Sequence, residues 1–460
     1  MKYLTVDFGS TFTKLTAIDT VQGAVAGTAR AFTTIDTDVM TGFNHAMEQL
    51  ENAIGAFHYD QLLCCSSAAG GLKMIAVGLV PDLTAKAAKM AASSAGAKVM
   101  KTYSFELSEK ELTEIAAVNP DLVLLCGGTD GGNREVILTN ARLLAAVDGN
   151  FSIIAAGNKS VDAELETIFK TAGKTFVITE NVMPTFNQLN IEPARQAIRE
   201  LFIRNIVAAK GLSKMQALCA NAIIPTPLAV MTACELLSKG TRSRAGIGEL
   251  VCIDLGGATT DVYSMAKGKP ASGHVIPKGL PEPFSKRTVE GDLGMRYSLA
   301  ALADALNMSD FSEETAIPQA RIEAWIARCT AMPDIIAAPE SEELFIEESL
   351  AKKAVELAVE RHCGILESAY TPLGEILSIT GKDLTEIPSL IGIGGAIINS
   401  KEPHKILEGA LYSARKTGFM KPKAPRFYLD KTYIFAAMGL LSAIDEELAL
   451  RILTDNLKPI

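Results

Sequence analysis

Two stretches of the chain, about 250 residues apart, spell the same device: an apolar strand ending in an aspartate, a turn of glycine and small hydroxyl residues, and a second strand. The first is Val6-Asp7-Phe8-Gly9-Ser10-Thr11, which runs into a β-prone stretch from Phe12 to Ile18. The second is Ile253-Asp254-Leu255-Gly256-Gly257-Ala258-Thr259-Thr260, which runs through Asp261 into Val262 to Met265. A repeat at that distance is far too long for a solenoid and predicts two related lobes facing each other. A chain of 460 residues holds such a pair with room for insertions.

The chemistry of the device follows from its residue types. Backbone N–H groups and hydroxyls in a tight turn can be offered to phosphate oxygens. The aspartate must do something else, because a carboxylate repels phosphate unless a cation stands between them. Mg²⁺ is the cation that carries polyphosphates while keeping several of its waters. Two hairpins, each with its own acid (Asp7 and Asp254), would clamp a nucleotide's terminal phosphates and metal from both sides. A third glycine-rich strand end, Leu390-Ile391-Gly392-Ile393-Gly394-Gly395-Ala396, offers backbone without side chains that could lie against a flat base or ribose. The chain contains no G-x-x-x-x-G-K-[ST], and no G-x-G-x-x-G opens a helix after the first strand, so neither of those phosphate loops competes.

The periodicity between these landmarks predicts an α/β protein. Strands 3–8, 12–18 and 24–33 precede a helix over 37–54, then a short strand over 61–65 and a helix over 83–95. From 98 to 182 short apolar strands alternate with helices, which indicates an inserted layer with a parallel sheet and crossover helices. Helices over 193–210 and 227–238 lead to the second hairpin, residues 298–370 read as largely helical, and a closing helix starts at Phe435. These patterns divide the chain at 248/249, with an α/β insertion at about 98–182 in the first half and a mainly helical one at about 298–385 in the second.

Several features bound the partners. Lys plus Arg is 44 against 53 Asp plus Glu, so the chain lacks the cationic footprint a general nucleic-acid binder needs. No apolar run approaches the roughly 18 residues of a membrane span, and the acid at position 7 falls where a secretory signal would be apolar. The expectation is a cytoplasmic protein with no membrane or nucleic-acid partner. Eight scattered cysteines form no C-x-x-C and read as buried reduced thiols, with Cys64-Cys65, ahead of Ser66 to Gly71, the pair that stands out. Gly127-Gly128-Thr129-Asp130-Gly131-Gly132 reads either as an exposed flexible loop for a partner or as an ordinary strand-to-helix turn. Glu290 and Asp292, beside Arg287 and Arg296, read as ion pairing around a helix start.

The order of these motifs resembles that of the actin, Hsp70 and sugar-kinase superfamily. Asp7 to Lys14 resembles its first phosphate motif, Asp254 to Asp261 its second, and 390–396 its adenosine motif; Ile224 to Ala233 and Phe435 to Leu441 resemble its two connecting helices. The resemblance implies a two-lobed actin/Hsp70-like ATPase fold built from duplicated ribonuclease-H-like domains. Within the superfamily the whole sequence, including Lys286 to Arg296, resembles the MutL-type accessory proteins associated with adenosylcobalamin-dependent glutamate mutase, which are not the mismatch-repair proteins that share the name. That resemblance implies an ATP-dependent partner of a coenzyme B12 mutase, reactivating it by expelling damaged cobalamin, with the coenzyme belonging to the mutase. Carried over by position, it implies that Asp7 and Asp254 hold Mg²⁺ through water, with Asp254 or Asp261 orienting the attacking water. Gly9, Ser10, Thr11 and Lys14 would contact phosphates from one lobe, Gly256, Gly257, Thr259 and Thr260 from the other, and Gly392, Gly394 and Gly395 would lie near the adenosine. Ala258 stands where the second motif often has a third glycine.

Two other activities share these motifs. A small-molecule kinase of the same fold needs a carboxylate base, and the helix after Ile224 has no acid before Glu235. A dehydratase-activator-type ATPase needs exposed cysteines for an iron–sulfur cluster, for which Cys126 is the best placed.

Overall fold

The structure, a computed structural model, describes the chain except for residues 10, 35–37, 68–72, 210–211, 271–274 and 372–373. It divides into two compact units. One comprises Met1–Ala233, Gly279–Pro281 and Ala436–Ile452; the other comprises Cys234–Lys278, Glu282–Phe435 and Leu453–Ile460.

The first unit opens with strands β1 (Lys2–Phe8), β2 (Phe12–Asp19) and β3 (Ala24–Phe32), then helix α1 (Val39–Ile54) and strand β4 (Gln61–Ser66). Asp38 caps α1 by accepting a hydrogen bond from the Met40 N–H, and Phe43, Ala46 and Leu50 on one face of the helix pack on Leu4, Val6 and Leu15 of the sheet. The inserted layer follows: β5 (Lys73–Gly78), α2 (Lys86–Ser94), β6 (Lys98–Ser104), α3 (Glu109–Val118), β7 (Leu122–Leu125), α4 (Glu135–Ala146), β8 (Ser152–Ala155), α5 (Asp162–Thr171) and β9 (Phe176–Ile178). Its sheet is parallel in the order β6-β5-β7-β8-β9, a doubly wound arrangement whose central strands are buried on both faces, as their unbroken apolar runs require. Strand β5 lies outside the alternation read from 98 onward. Helices α6 (Glu192–Ala209) and α7 (Ser213–Leu218) lead to β10 (Ile224–Pro225) and α8 (Thr226–Lys239).

The second hairpin begins with β11 (Leu250–Leu255) and β12 (Thr260–Met265), followed by β13 (Val275–Lys278) and β14 (Ser285–Glu290). Four helices follow: α9 (Leu299–Asp304), α10 (Met308–Thr315), α11 (Gln319–Ala331) and α12 (Glu342–His362). Ile346, Leu350, Ala354, Val355 and Ala358 make the buried stripe of α12, at the spacing of one helix face. Strands β15 (Ile365–Thr371) and β16 (Gly374–Thr380) then pair as an antiparallel hairpin, so the helical reading of this stretch fails beyond His362. Ile365, Tyr370 and Thr371 carry a strand preference that the charge pattern obscured. The unit continues with β17 (Ser389–Ile393), α13 (Gly395–Ile398), α14 (Pro403–Leu407) and β18 (Arg426–Leu429), and the chain ends with α15 (Phe435–Leu441), α16 (Glu446–Asn456) and β19 (Lys458–Pro459).

Duplication is visible in the topology. The first unit's sheet runs β3-β2-β1-β4-β10, and the second's runs β14-β12-β11-β17-β18 with β19 added at the edge. In each, the strand bearing the motif aspartate is central, antiparallel to its hairpin mate and parallel to the strand on its other side. This is the ribonuclease-H-like sheet present twice, the mixed α/β architecture of the actin/Hsp70-like class. Within the first unit Gly439 of α15 meets α8 so closely that a Cβ would lie 1.8 Å from the Ala229 carbonyl oxygen; only glycine fits there.

Candidate functional site

At the first hairpin, Asp7 sits at the end of β1, 7% exposed. The turn closes by a bond from the Gly9 N–H to the Phe12 carbonyl at 3.0 Å, and the register sets Asp7 opposite Lys14 on β2 and beside Cys65 on β4. Three side chains converge on the carboxylate. The Thr226 hydroxyl donates to Oδ1 at 2.6 Å, the Cys65 thiol donates to the same oxygen at 3.6 Å, and the Lys14 ammonium stands 3.5 Å from Oδ2. Burial, and then the neighbouring Asp7 charge, push the Cys65 thiol well above its ordinary range, so it stays protonated and serves as a donor. Oδ2 is buried and accepts no hydrogen bond among the described residues. Thr11 is half-buried and its carbonyl accepts from the Thr33 N–H. Ser10 lies outside the described residues.

The second hairpin repeats the scheme in its own unit. Asp254 ends β11, the Gly256 N–H donates to the Thr259 carbonyl at 2.9 Å, and the register sets Asp254 opposite Asp261. Here too a hydroxyl reaches the acid, from Tyr433 to Asp254 Oδ2 at 3.4 Å. The turn's carbonyls are held from one side: Gly256 accepts from Met295 N, Gly257 from Arg296 N and Tyr297 N, and Ala258 from the Ser298 hydroxyl. Thr260 is fully buried and its hydroxyl donates to the Leu293 carbonyl, whereas the Thr259 hydroxyl donates to Asp261 Oδ2 at 3.2 Å. Asp261 is gripped by Arg287 through Nε at 2.8 Å and Nη2 at 2.7 Å, both on Oδ1. This pair is buried on both sides, and such pairs are costly to break.

The third glycine turn lies against the second hairpin. Gly394 has φ +92, and a Cβ on it would sit 2.4 Å from the Leu255 carbonyl oxygen and 2.7 Å from Asp254 Oδ1. Its hydrogen is therefore what lets β17 end beside Asp254. Gly392 faces Ile397 and Leu407 in the core, while Gly395 is exposed and would meet only Asn399 at 3.8 Å. Of the three, Gly395 alone has open space.

The Lys286 to Arg296 stretch fixes the hairpin through pairings that differ from those expected. Glu290 and Asp292 both bind Arg361, each at 2.8 Å, Arg287 holds Asp261, and Arg296 bonds Glu347 at 3.0 Å. Glu290 ends a strand and starts no helix. The glycine loop 127–132 is the turn from β7 to α4 and is tied down. Asn158 accepts from Gly131 N and donates to the carbonyls of Gly132 and Asn133, and Asn181 donates to the Gly128 carbonyl and to Asp130. The loop has the backbone of a strand-to-helix turn, and its Gly131 and Gly132 are exposed.

Thr226, Cys65, Tyr433 and Asp430 are the contacts that sequence reasoning did not assign. Thr226 opens α8 directly before Pro227, a helix-start signal. Asp430 is 2% exposed and accepts from the Phe435 N–H at 3.0 Å and the Thr432 hydroxyl at 3.3 Å, which fixes the loop that carries Tyr433. Burial raises its carboxyl to about 6, against the lowering effect of those bonds. An Asp-x-Thr ahead of a helix was the available signal for Asp430; the Cys65 and Tyr433 contacts had none.

The buried, undonated Oδ2 of Asp7 suits a magnesium-bound water, as does a hard carboxylate at the end of each hairpin. Among the described residues, no group of three or more His, Cys, Asp or Glu could hold a metal directly, and no helix is long and apolar enough to cross a membrane.

The sequence matches the MutL protein family over residues 3–457. It is 47% identical over 455 residues to "Protein MutL" of Clostridium tetanomorphum, covering 98% of each chain. Among solved structures it is similar to the ligand-bound xylulose kinase of Lactobacillus acidophilus, at 9% identity over 100% of this chain and 92% of that one with TM-score 0.37. It is also similar to the activator of the 2-hydroxyisocaproyl-CoA dehydratase from Clostridium difficile with bound ADPNP, at 10% identity over 100% and 99% with TM-score 0.29. These structural likenesses are too distant to carry a function.

Proposed function

The chain belongs to the MutL protein family, and on that premise we propose that it binds and hydrolyses ATP with Mg²⁺ as an accessory protein of an adenosylcobalamin-dependent mutase of the glutamate mutase type. The observation that carries this reading is the pair of aspartate hairpins with one hydrogen-bond scheme, one in each unit. Asp7 and Asp254 would hold magnesium through its waters, and the ion supplies positive charge against the phosphate oxygens. Lys14 and the amides of Thr11, Gly257 and Ala258, which are not the ones that close the turns, would bind phosphate. Asp261, held by Arg287 and bonded to Thr259, acts as a positioning residue for the second turn. Gly395 is the part of the third turn with room beside an adenosine. Output to the mutase would be a change in the two units' arrangement between ATP and ADP states, promoting release of damaged cobalamin. The coenzyme stays with the mutase.

The two competing activities find less support. Glu235, the acid a kinase would use, accepts from the Ser285 hydroxyl and lies 4.0 Å from Lys239. Cys126, the best placed thiol for a cluster, is 1% exposed. The test is ATP turnover by the purified chain with and without Mg²⁺ and with and without a cobalamin-inactivated mutase. Mg²⁺-dependent turnover coupled to recovery of mutase activity is expected; a phosphorylated metabolite in place of free phosphate would sink the proposal.

A further inference from the structure

Cys64 and Cys219, 155 residues apart, place their sulfurs 2.9 Å from each other, with the Cys219 thiol donating to Cys64. Both are free thiols. A disulfide requires about 2.05 Å between sulfurs, so the pair needs less than an ångström of closure. Their exposures differ in the way a two-step oxidation needs: Cys219 is half-buried at the end of α7, while Cys64 is 2% exposed within β4. Cys234 and Cys252 in the other unit also share a thiol hydrogen bond, but both are 0% exposed; that pair is closed to solvent and serves as an internal contrast.

We propose that Cys64 and Cys219 form a reversible dithiol–disulfide site, oxidised by low-molecular-weight disulfides, that ties β4 to the end of α7 beside Asp7. Cys219 gives its proton to water and, as its thiolate, attacks one sulfur of the small disulfide, forming a mixed disulfide and releasing one small thiolate, which takes a proton back from water. Cys64 gives its proton to the departing small thiolate and attacks the Cys219 sulfur, which completes the Cys64–Cys219 bond and releases the second small thiol. Two cysteines lose two electrons in all, and one small disulfide becomes two thiols. Burial and the Cys219 contact hold the Cys64 thiol well above its ordinary range, which fits its place as the second sulfur to react.

The location gives the bond a consequence. Cys65, the next residue after Cys64, and Thr226, seven residues after Cys219, are the two donors to Asp7 Oδ1. Pulling the sulfurs together acts on both sides of that carboxylate, whether or not a nucleotide is its ligand.

The experiment treats the full chain with a graded series of oxidised and reduced glutathione, followed by mass spectrometry of the intact protein and its peptides. Wild type is expected to lose two hydrogens and yield a Cys64–Cys219 cross-linked peptide that reduced glutathione reverses. Cys64→Ser should stop with one glutathionyl group on Cys219, and Cys219→Ser should yield neither adduct nor cross-link at these positions. A lasting glutathione adduct on wild-type Cys219 with Cys64 still free, or no reaction at either, overturns the proposal. Should Cys64→Ser fail to fold, Cys64→Ala and the wild-type peptide map give the same decision. Amide exchange over 223–226 should slow on oxidation of wild type and not of Cys219→Ser; a cross-link without that slowing overturns the link to Asp7.

Discussion

The two hairpins share a backbone and differ in charge at one equivalent position. Opposite Asp7 on the next strand stands Lys14, and opposite Asp254 stands Asp261. The first hairpin thus pairs a carboxylate with an ammonium across its strands. The second pairs two carboxylates, and it becomes tolerable because Arg287 reaches in from β14 to hold Asp261. Hydroxyl donors are conserved between the halves in place though not in kind, since Thr226 opens α8 and Tyr433 lies two residues before α15. Duplication has kept the geometry that aims an aspartate out of the central strand and let the electrostatics around it diverge. Asp254 with Asp261 is formally two charges more negative than Asp7 with Lys14, and one more negative once Arg287 is counted, which suits the second hairpin better to a divalent cation, while Lys14 suits the first to phosphate.

The sharpest break of this comparison is the loss of either acid. Asp7→Asn and Asp254→Asn should each lower Mg²⁺-dependent ATP turnover by on the order of 100-fold or more, the scale of removing one preorganised charge-stabilising group. The Mg²⁺ concentration for half-maximal rate should rise more for Asp254→Asn than for Asp7→Asn. Equal shifts in a magnesium titration would mean that the charge difference between the hairpins has no bearing on the metal.

Stability should separate the halves next. Arg287→Met leaves Asp261 buried without its cation and should cost about 3–5 kcal/mol in a urea melt. Lys14→Met, at the position equivalent to Asp261, removes a partly exposed cation and should cost about 1 kcal/mol or less. A loss for Lys14→Met as large as that for Arg287→Met would erase the contrast.

What the sequence made legible follows this same line. The motif aspartates, the glycine turns and the strand order around them are written in contiguous residues, and a strand that ends in Asp-x-Gly can be read without its neighbours. Contacts that cross long sequence distances cannot be read in this way. Thr226 reaches Asp7 over 219 residues and Tyr433 reaches Asp254 over 179, and only the sheet's register brings them together. Gly394 shows the intermediate case. The sequence marks it as a place for close approach, but the group that approaches is the Leu255 backbone and Asp254. A valine there would displace the second hairpin itself, so Gly395→Ala is the better probe of a bound nucleoside. The β15–β16 hairpin was lost in the reading because alternating Glu and Lys side chains ahead of it continued a helical pattern past the end of α12.

A smaller effect tests the loop that carries Tyr433. Burial raises the Asp430 carboxyl to about 6 in the folded chain, against 3.8 as its ordinary value. The folded state therefore holds this proton more tightly than the unfolded state, and between these values it binds more protons. On this group alone, stability is greatest below about pH 4, falls as pH rises to about 6, and is flat above. The integrated change is at most about 3 kcal/mol. Asp430→Asn should flatten the pH dependence of stability between pH 4 and 6 by that amount; an unchanged slope in urea melts across the window would show that the burial of this carboxyl is not what shapes it.

The two hydroxyls can be compared directly, down to the smallest effect expected, that of Tyr433. Thr226 donates to a buried carboxylate at 2.6 Å, and a bond of that length to a charged acceptor contributes about 1.5–3 kcal/mol, so Thr226→Val should cost that much while Thr226→Ser restores most of it. The Tyr433 bond to Asp254 is 3.4 Å long, near the limit of useful geometry, and Tyr433→Phe should cost about 0.5 kcal/mol. If urea melts return the reverse order, the hydroxyl of the second hairpin is tighter than its distance implies, and the two halves are more alike in their aspartate cradles than in their charges.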